Sequence, residues 1–258
     1  MKKVQLAISL LFCLAFCLNA ASPEKKRNVN LVFIGNSITQ GVIIPSPEQN
    51  APPVKAAAYL RQQPGIGTVQ FANCGVSGCT TLDYLPASEN LFPRAKEAAD
   101  KFSRDKNALL VFSIMLGTND SAVKGPHGAP VAPKQYQTNL GVIIDRLLSL
   151  YPGCRVVIHR PIWYSANTYN GSMYLAEGQK RLQSYFPEID MLVAQYAESH
   201  PQQVWPGDCE AYAFFEKNHQ TDLIPEQGNA GTFYLHPNVE GAGKLGAFWG
   251  KAILPALK

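Results

Sequence analysis

The sequence predicts the α/β fold class, in the form of a three-layer α/β/α sandwich whose parallel sheet is covered by helices on both faces. Two patterns carry this prediction. Short apolar runs alternate along the chain with longer segments of helical periodicity, and the short runs are too continuously apolar for strands that expose one face to water. Because the chain has 258 residues, it can bury a large core within one domain.

The beginning of the chain has the pattern of a secretory signal peptide. Two lysines precede an apolar stretch, and small residues follow at Ala20 and Ala21. We therefore predict that residues 1–21 are removed on export to the periplasm or the medium, and that residues 22–258 form a single domain. Cys17 stands in a loose match to a lipid-attachment motif, but the phenylalanine before it fits that motif poorly, so we do not expect a lipid anchor.

Five apolar segments predict the strands of the sheet, in the order residues 29–34, 68–72, 108–115, 155–159 and a shorter 202–205. The first four are rich in Val, Ile, Leu and Phe, which suits strands buried on both faces. Helical periodicity marks residues 53–62, 91–102, 135–150 and 241–257. A further helical segment begins near residue 173. Because proline lacks the N–H group that a helix interior needs, we expect this segment to restart at Pro187 and to run to Ser199.

Three long loops are predicted to surround the functional region. Each follows a strand and is rich in Pro, Gly, Asn or aromatic residues; they are residues 41–52, 121–133 and 161–171. Long loops in a compact domain are usually functional or disordered. In an open parallel sheet, ligands bind outside the carboxyl ends of the strands. We therefore expect a crevice at that edge, bordered by these loops.

The first strand runs into the segment LVFIGNSITQG, which places Ser37 at a strand-to-helix turn. Two interpretations are open. Ser37 can cap the helix, because a serine oxygen readily accepts a backbone N–H at a helix start, or it can be a nucleophile. Thr39 stands where the nucleophile elbow of α/β-hydrolases requires a second glycine, so this segment is not that elbow.

Three further segments contain the partners that a nucleophilic serine needs. NCGVSGCTT follows the second strand, GTND follows the third, and FYLHPN stands near the C-terminus, so all three can meet Ser37 at one edge of the sheet. A nucleophilic serine needs a base within hydrogen-bond reach and donors directed at the developing oxyanion. His236 is the candidate base. The candidate oxyanion-hole donors are the backbone N–H groups of Ser37 and Gly78 and the side-chain amide of Asn119.

These four segments resemble the sequence blocks of the SGNH, or GDSL, hydrolase superfamily in their order and approximate spacing. The resemblance extends over nearly the whole chain after the leader. It implies a flavodoxin-like parallel sheet, a nucleophilic Ser37 and a basic His236. It also implies an oxyanion hole made by Ser37, Gly78 and Asn119.

Two positions depart from the superfamily pattern. Asn36 replaces the usual Asp before the serine, and we expect its amide to support the loop by hydrogen bonding. Phe233 stands three residues before His236, where the superfamily has an Asp that would orient the imidazole. We favour a Ser–His dyad in which a backbone carbonyl orients His236; the alternative is that the carboxylate of Asp222 reaches it.

Other conspicuous residues have weaker claims to a function. In HRPIWYS, after the fourth strand, Arg160 is a candidate partner for a substrate carboxylate, and Trp163 is a candidate for stacking on a sugar ring. Asp120 follows Asn119, and we expect it to hold the turn rather than to act as a catalytic acid. GAGKLG matches the dinucleotide fingerprint, but it follows no predicted strand. We interpret its glycines as allowing close packing of the last helix.

The cysteine and charge patterns limit cofactors and partners. Four cysteines remain after the leader: Cys74, Cys79, Cys154 and Cys209. Export permits disulfides, and a bend can bring Cys74 to Cys79; the alternative is that some are small buried apolar side chains. No CxxC or HExxH spacing occurs, so we expect no metal and no cofactor.

The net charge is +4, or about +2 without the leader, and no basic run is interleaved with aromatic residues, so we expect no nucleic-acid partner. No later segment approaches the roughly 20 apolar residues of a membrane span.

The sequence therefore favours an exported serine esterase that removes acetyl groups from a sugar. The segments GNSITQG, CGVSGCTT, HRPIWYS and GTFYLHPN further resemble those of secreted bacterial sialate O-acetylesterases, which implies O-acetylated sialic acid as the substrate. The alternatives are a xylan-type carbohydrate acetylesterase, a lysophospholipase or arylesterase, and a glycan O-acetyltransferase. Loops rich in Asn, Gln, Ser and Pro favour a sugar over a fatty acyl chain.

Overall fold

The computed structural model describes residues 26–258, and the predicted signal peptide lies outside them. The central sheet has five parallel strands in the order β2-β1-β3-β4-β5. These strands are β1 (Arg27–Gly35), β2 (Ile66–Asn73), β3 (Ala108–Met115), β4 (Arg155–Ile158) and β5 (Val204–Pro206). This is the flavodoxin-like strand order, in which ligands bind where β1 and β3 diverge. The predicted fold class is confirmed.

The helices lie between these strands and after them. They are α1 (Ser37–Gln40), α2 (Pro47–Asn50), α3 (Pro52–Arg61), α4 (Phe92–Phe102), α5 (Pro133–Leu150), α6 (Leu175–Ser199), α7 (Ala211–Asp222) and α8 (Val239–Ile253). Short 3-10 turns occur at Pro86–Ser88 and Leu254–Leu257. Within residues 26–258, no helix combines the length and the apolar character that crossing a membrane requires.

Two hydrophobic clusters cover the two faces of the sheet. Val32 and Ile34 of β1 pack in the cluster that contains α4, α5 and α6. Leu31 and Phe33 pack in the cluster that contains α3, α7 and α8. Because successive residues of a strand point to opposite faces, a strand buried on both sides is an unbroken apolar run. This is why β1 and β3 are predictable from sequence. Strand β2 lies at the edge of the sheet and is partly exposed, so the expected burial on both faces is wrong for it.

Helix α6 continues through Pro187 without interruption, so the expected restart at that residue is wrong. The helix is held by its packing: Leu182 and Ile189 lie in the core, and Tyr185 stacks on Tyr136 of α5 with 4.1 Å between ring centroids. Helices in proteins are stabilised chiefly by such tertiary contacts. These contacts outweigh the one backbone hydrogen bond that proline removes.

Helix α7 is followed by an antiparallel hairpin. Neither the helix nor the hairpin was predicted from the sequence. The hairpin consists of β6 (Leu223–Gly228) and β7 (Gly231–Pro237). The loop after β4 supports it: Ser165 N–H donates to Tyr234 O at 2.9 Å, and Tyr234 N–H donates to Ser165 Oγ at 2.9 Å. The hairpin delivers His236 to the carboxyl edge of the sheet.

Close packing of α8 explains two of the three glycines in GAGKLG. A Cβ at Gly241 would lie 2.0 Å from the carbonyl oxygen of Asp222, and one at Gly246 would lie 2.4 Å from Cβ of Lys55. A Cβ at Gly243 would meet no atom within 4 Å. The packing interpretation is therefore confirmed for Gly241 and Gly246 and is wrong for Gly243.

The cysteines after the leader are free thiols. Cys74, Cys79 and Cys154 are buried, as expected of small apolar side chains, whereas Cys209 is exposed. The Cys79 thiol lies 3.2 Å from the carbonyl oxygen of Gly35. The disulfide considered between Cys74 and Cys79 is thus not formed in this structure.

Candidate active site

Ser37 is the first residue of α1, and Asn36 caps that helix. The side-chain oxygen of Asn36 accepts the N–H of Ile38 at 3.0 Å. The capping interpretation of Ser37 is therefore wrong, and the expected support by Asn36 is confirmed. Since the first N–H of a helix has no acceptor within the helix, the Ser37 N–H is available to a ligand.

The hydroxyl of Ser37 is paired with the imidazole of His236. The distance from Ser37 Oγ to His236 Nε2 is 2.9 Å. Both residues are almost fully buried, with 8% of Ser37 and 7% of His236 exposed. Two residues at opposite ends of the described chain are thus joined at the edge of the sheet where β1 ends.

The second nitrogen of His236 contacts a carboxylate, that of Glu226 on β6. Oε1 of Glu226 lies 2.8 Å from His236 Nδ1 and also accepts the backbone N–H of His236 at 3.3 Å. An ionised carboxylate only accepts hydrogen bonds, so Nδ1 carries the proton. Nε2 then presents its lone pair to the Ser37 hydroxyl, which is the tautomer that a general base needs.

Both hypotheses about the group that orients His236 are corrected by this contact. Nδ1 faces Glu226 and not a backbone carbonyl. The carboxylate of Asp222 is instead paired with Lys244 Nζ at 2.9 Å and accepts the hydroxyl of Thr221. Sequence reasoning missed Glu226 because it missed the hairpin. One signal was present, since Glu226 is the only carboxylate between Asp222 and His236.

Asn119 follows β3, and both ends of its amide are fixed by hydrogen bonds. Nδ2 donates to the carbonyl oxygen of Cys79 at 2.8 Å, and the hydroxyl of Tyr174 donates to Oδ1 at 2.6 Å. Burial raises the pKa of the Tyr174 hydroxyl, which therefore keeps its proton and acts as the donor. The amide is held in one orientation, with its second Nδ2 hydrogen left for a ligand. Tyr174 was not among the residues that sequence patterns predicted to act in the site.

The segment that contains Gly78 packs against the segment that contains Ser37. Val76 N–H donates to Gly35 O at 3.0 Å, and Ser77 N–H donates to Gln40 Oε1 at 2.7 Å. Gly78 has φ of +78°, a left-handed conformation that glycine adopts without steric cost. Within residues 26–258, the N–H groups of Ser37 and Gly78 donate to no protein acceptor. Together with the second Nδ2 hydrogen of Asn119, these are three N–H donors without a protein acceptor among the described residues, and their role as an oxyanion hole stays a prediction.

Asp120 is buried behind this site and holds the turn, as expected. Its Oδ1 accepts the N–H of Thr81 at 2.9 Å and also the Thr81 hydroxyl. Burial raises the pKa of the Asp120 carboxyl to about 6. These bonds tie the loop after β3 to the loop after β2, so that Asn119 and Gly78 lie on connected segments.

Arg160 and Trp163 are engaged away from the catalytic groups. The guanidinium of Arg160 lies 2.5 Å from Asp190 Oδ2 and stacks over Phe186, both on α6. Arg160 is thus paired with an acidic side chain of the protein itself, and its contact with a substrate carboxylate stays a prediction. Trp163 is only 8% exposed, with its ring 4.9 Å from that of His219. It packs in the core behind β7 and does not offer an open face to a sugar.

Three solved structures show the same fold. A carbohydrate acetylesterase from Sinorhizobium meliloti has a TM-score of 0.56 and 17% identity, over 88% of this chain and 99% of that one. An aryl esterase from M. smegmatis has a TM-score of 0.57 and 15% identity, over 89% of this chain and 100% of that one. A catalytic mutant of an acetylxylan esterase from Geobacillus stearothermophilus has a TM-score of 0.54 and 19% identity, over 91% of this chain and 96% of that one.

The sequence also matches a family directly. No curated protein matches it significantly. The model of the GDSL-like lipase/acylhydrolase family, however, matches residues 33–244, a span that contains Ser37, Gly78, Asn119, Glu226 and His236. Since this span is most of the chain, the protein belongs to the GDSL-like lipase/acylhydrolase family and is a carboxylic ester hydrolase with a serine nucleophile.

Proposed function

We propose that the protein is an exported acetylesterase that hydrolyses O-acetyl esters of a carbohydrate, with sialic acid as the favoured sugar. The observation that carries the proposal is the unbroken hydrogen-bond chain from Ser37 through His236 to Glu226. Export rests on the signal-peptide pattern of residues 1–21.

The first half of the reaction transfers the acetyl group to Ser37. The Oγ of Ser37 attacks the ester carbonyl carbon while Nε2 of His236 takes the hydroxyl proton, and Glu226 stabilises the imidazolium that results. The carbonyl oxygen becomes an oxyanion, which the N–H groups of Ser37 and Gly78 and the Asn119 amide stabilise. The tetrahedral intermediate then collapses as His236 gives its proton to the sugar oxygen, which leaves as an alcohol.

The second half returns the enzyme to its starting state. With the sugar gone, a water molecule takes its place next to His236, which removes a proton from the water as it attacks the acetyl carbonyl. The same donors stabilise the second oxyanion. Ser37 Oγ recovers the proton from His236, and acetate is released.

The substrate class is supported by two independent arguments. Two of the proteins with this fold are named a carbohydrate acetylesterase and an acetylxylan esterase. In addition, the loops at the carboxyl edge of the sheet are rich in Asn, Gln, Ser and Pro, whereas a fatty acyl groove needs apolar walls. Sialic acid is favoured among sugars by the four segments that resemble sialate O-acetylesterases.

The experiment is a product assay on O-acetyl sialic acid, acetylated xylose and a lysophospholipid, with Ser37→Ala as the control for each. We expect the fastest release to be of acetate from O-acetyl sialic acid, and its loss in Ser37→Ala. Faster release from acetylated xylose would reassign the sugar. Faster cleavage of the lysophospholipid, or acetyl transfer to an added glycan in place of release to water, would contradict the proposal.

A further inference from the structure

A second histidine, His127, lies in the loop between β3 and α5 and is paired with an aspartate. Its Nδ1 is 2.7 Å from Oδ1 of Asp83. The Asp83 side chain is 7% exposed, whereas the imidazole of His127 is 46% exposed. The pair therefore has a buried acidic end and an accessible imidazole end.

Asp83 is itself held in place by the loop after β2. Its Oδ2 accepts the N–H of Thr80 at 2.8 Å, and its Oδ1 accepts Nδ2 of Asn90 at 2.8 Å. Because the carboxylate is an acceptor, Nδ1 of His127 carries the proton in the neutral ring and Nε2 presents a lone pair. Within the described chain, Nε2 has no hydrogen-bond partner.

The free nitrogen of His127 lies beside the candidate oxyanion hole. A Cβ placed on Gly78 would be 3.9 Å from His127 Nε2. The backbone is fixed there as well, since Thr80 Oγ1 donates to the carbonyl oxygen of His127 at 3.0 Å. His127 has φ of +54°, a left-handed conformation that is uncommon for residues other than glycine and that often marks functional sites.

We propose that His127 binds a hydroxyl group on the alcohol portion of the ester through Nε2, and that Asp83 is the residue that positions it. This proposal rests on the proposed function of the Ser37 site. An acetyl group has no polar atom beyond its carbonyl oxygen, which the three donors bind. A polar contact beside Gly78 must therefore come from the alcohol, and a sugar offers hydroxyls that donate to the lone pair of Nε2. His127 is thus a determinant of specificity for sugar esters.

Two amide variants of His127 distinguish the loss of the hydrogen bond to the substrate from a defect in folding. Asn tolerates the left-handed conformation of residue 127 but is too short to replace Nε2, whereas Gln has the necessary length. We expect His127→Asn to raise KM for the best acetylated sugar roughly 2- to 10-fold, the effect of one neutral hydrogen bond, with kcat little changed. We expect His127→Gln to recover part of the loss.

The control substrate is p-nitrophenyl acetate, whose alcohol has no sugar hydroxyl, and we expect all these variants to hydrolyse it as the wild type does. The control variant is His200→Ala. His200 lies between the end of α6 and the start of β5, at the edge of the sheet opposite the Ser37 site. Asp83→Asn should raise KM for the sugar in the wild type but not further in His127→Asn, because the two residues act as a unit.

The outcomes are distinguishable. Equal losses on the sugar ester and on p-nitrophenyl acetate would show that His127 only supports the oxyanion loop, and would overturn the proposal. No change on either substrate would overturn it as well. If the wild type cleaves p-nitrophenyl acetate but no acetylated sugar, the proposed function is contradicted, and this inference with it. That result comes from the wild type alone and is therefore distinct from the variant results that test His127.

Discussion

Glu226 and Phe233 lie directly opposite each other across the β6–β7 hairpin. Position 233 is three residues before His236, where the resembled superfamily has its Asp. In this protein the carboxylate reaches His236 from the facing strand, with Oε1 at 2.8 Å from Nδ1. Phe233 is buried in the core, so the hairpin separates the packing role of one strand from the acidic role of the other.

The first prediction concerns the residue that orients His236. Glu226→Gln keeps the size of the side chain but allows its amide to donate to Nδ1, which favours the wrong tautomer. We expect kcat for p-nitrophenyl acetate to fall by up to about 10⁴, as measured in steady-state assays. Asp222→Asn is the matched control, because that carboxylate is paired with Lys244; we expect it to leave kcat unchanged. The reverse pattern would restore the Asp222 hypothesis.

The second prediction concerns the oxyanion hole. Asn119→Ala removes a side-chain donor, and we expect kcat to fall on the order of 10²–10³ with little change in KM. Tyr174→Phe removes only the hydrogen bond that fixes the amide, so its effect should be smaller, roughly 2- to 10-fold. A larger loss in Tyr174→Phe than in Asn119→Ala would show that Asn119 is not the donor.

The third prediction concerns the packing of α8 against α3. An added methyl group at Gly246 would lie 2.4 Å from Cβ of Lys55 and 2.8 Å from the backbone nitrogen of Ala56. We expect Gly246→Ala to lower the free energy of unfolding by about 1–3 kcal/mol, as measured by urea denaturation. An added methyl group at Gly243 would meet no atom within 4 Å. Gly243→Ala should therefore raise the free energy of unfolding by about 0.5–1 kcal/mol through helix propensity. Equal effects of the two variants would contradict the packing interpretation.

The fourth prediction is a dependence of stability on pH that arises from Asp120. Burial raises the pKa of its carboxyl from 3.8 to about 6, so the folded protein binds this proton more tightly than the unfolded chain does. The resulting stabilisation is complete at pH values below 3.8 and is lost as the pH rises through about 6. We expect the wild type to lose stability relative to Asp120→Asn across that interval, as measured by thermal unfolding at each pH. A difference independent of pH would mean that the pKa of Asp120 is the same in the folded and unfolded states, and would contradict this prediction.

The parts of the fold that were predictable are those whose burial is indicated by a continuous run of apolar residues. Strands β1 and β3 are continuous apolar runs because both of their faces are covered. The hairpin was not predictable in this way: β6, with the sequence LIPEQG, includes a proline, a glycine and two polar residues. Its pairing with β7 depends on supporting contacts such as those of Ser165, which are distant in sequence.

The same distinction holds within the site. Ser37, Asn119 and His236 stand in short segments whose residue types and order suggest their chemistry. Glu226 acts through the register of two strands, and Arg160 is taken up by Asp190 on a distant helix. Neither relationship can be obtained from spacing along the chain, so the sequence predicted the nucleophile and base but not the acid.

The most direct test of the central claim is the rate of p-nitrophenyl acetate hydrolysis by Ser37→Ala, with thermal unfolding to verify that the variant is folded. If Ser37 is the nucleophile that His236 activates, kcat falls on the order of 10⁶. We also expect mass spectrometry of the quenched wild-type enzyme to detect an acetylated Ser37 peptide, and to detect no acetylated form of the corresponding peptide of the variant. A folded Ser37→Ala variant that retains the wild-type rate would contradict the account.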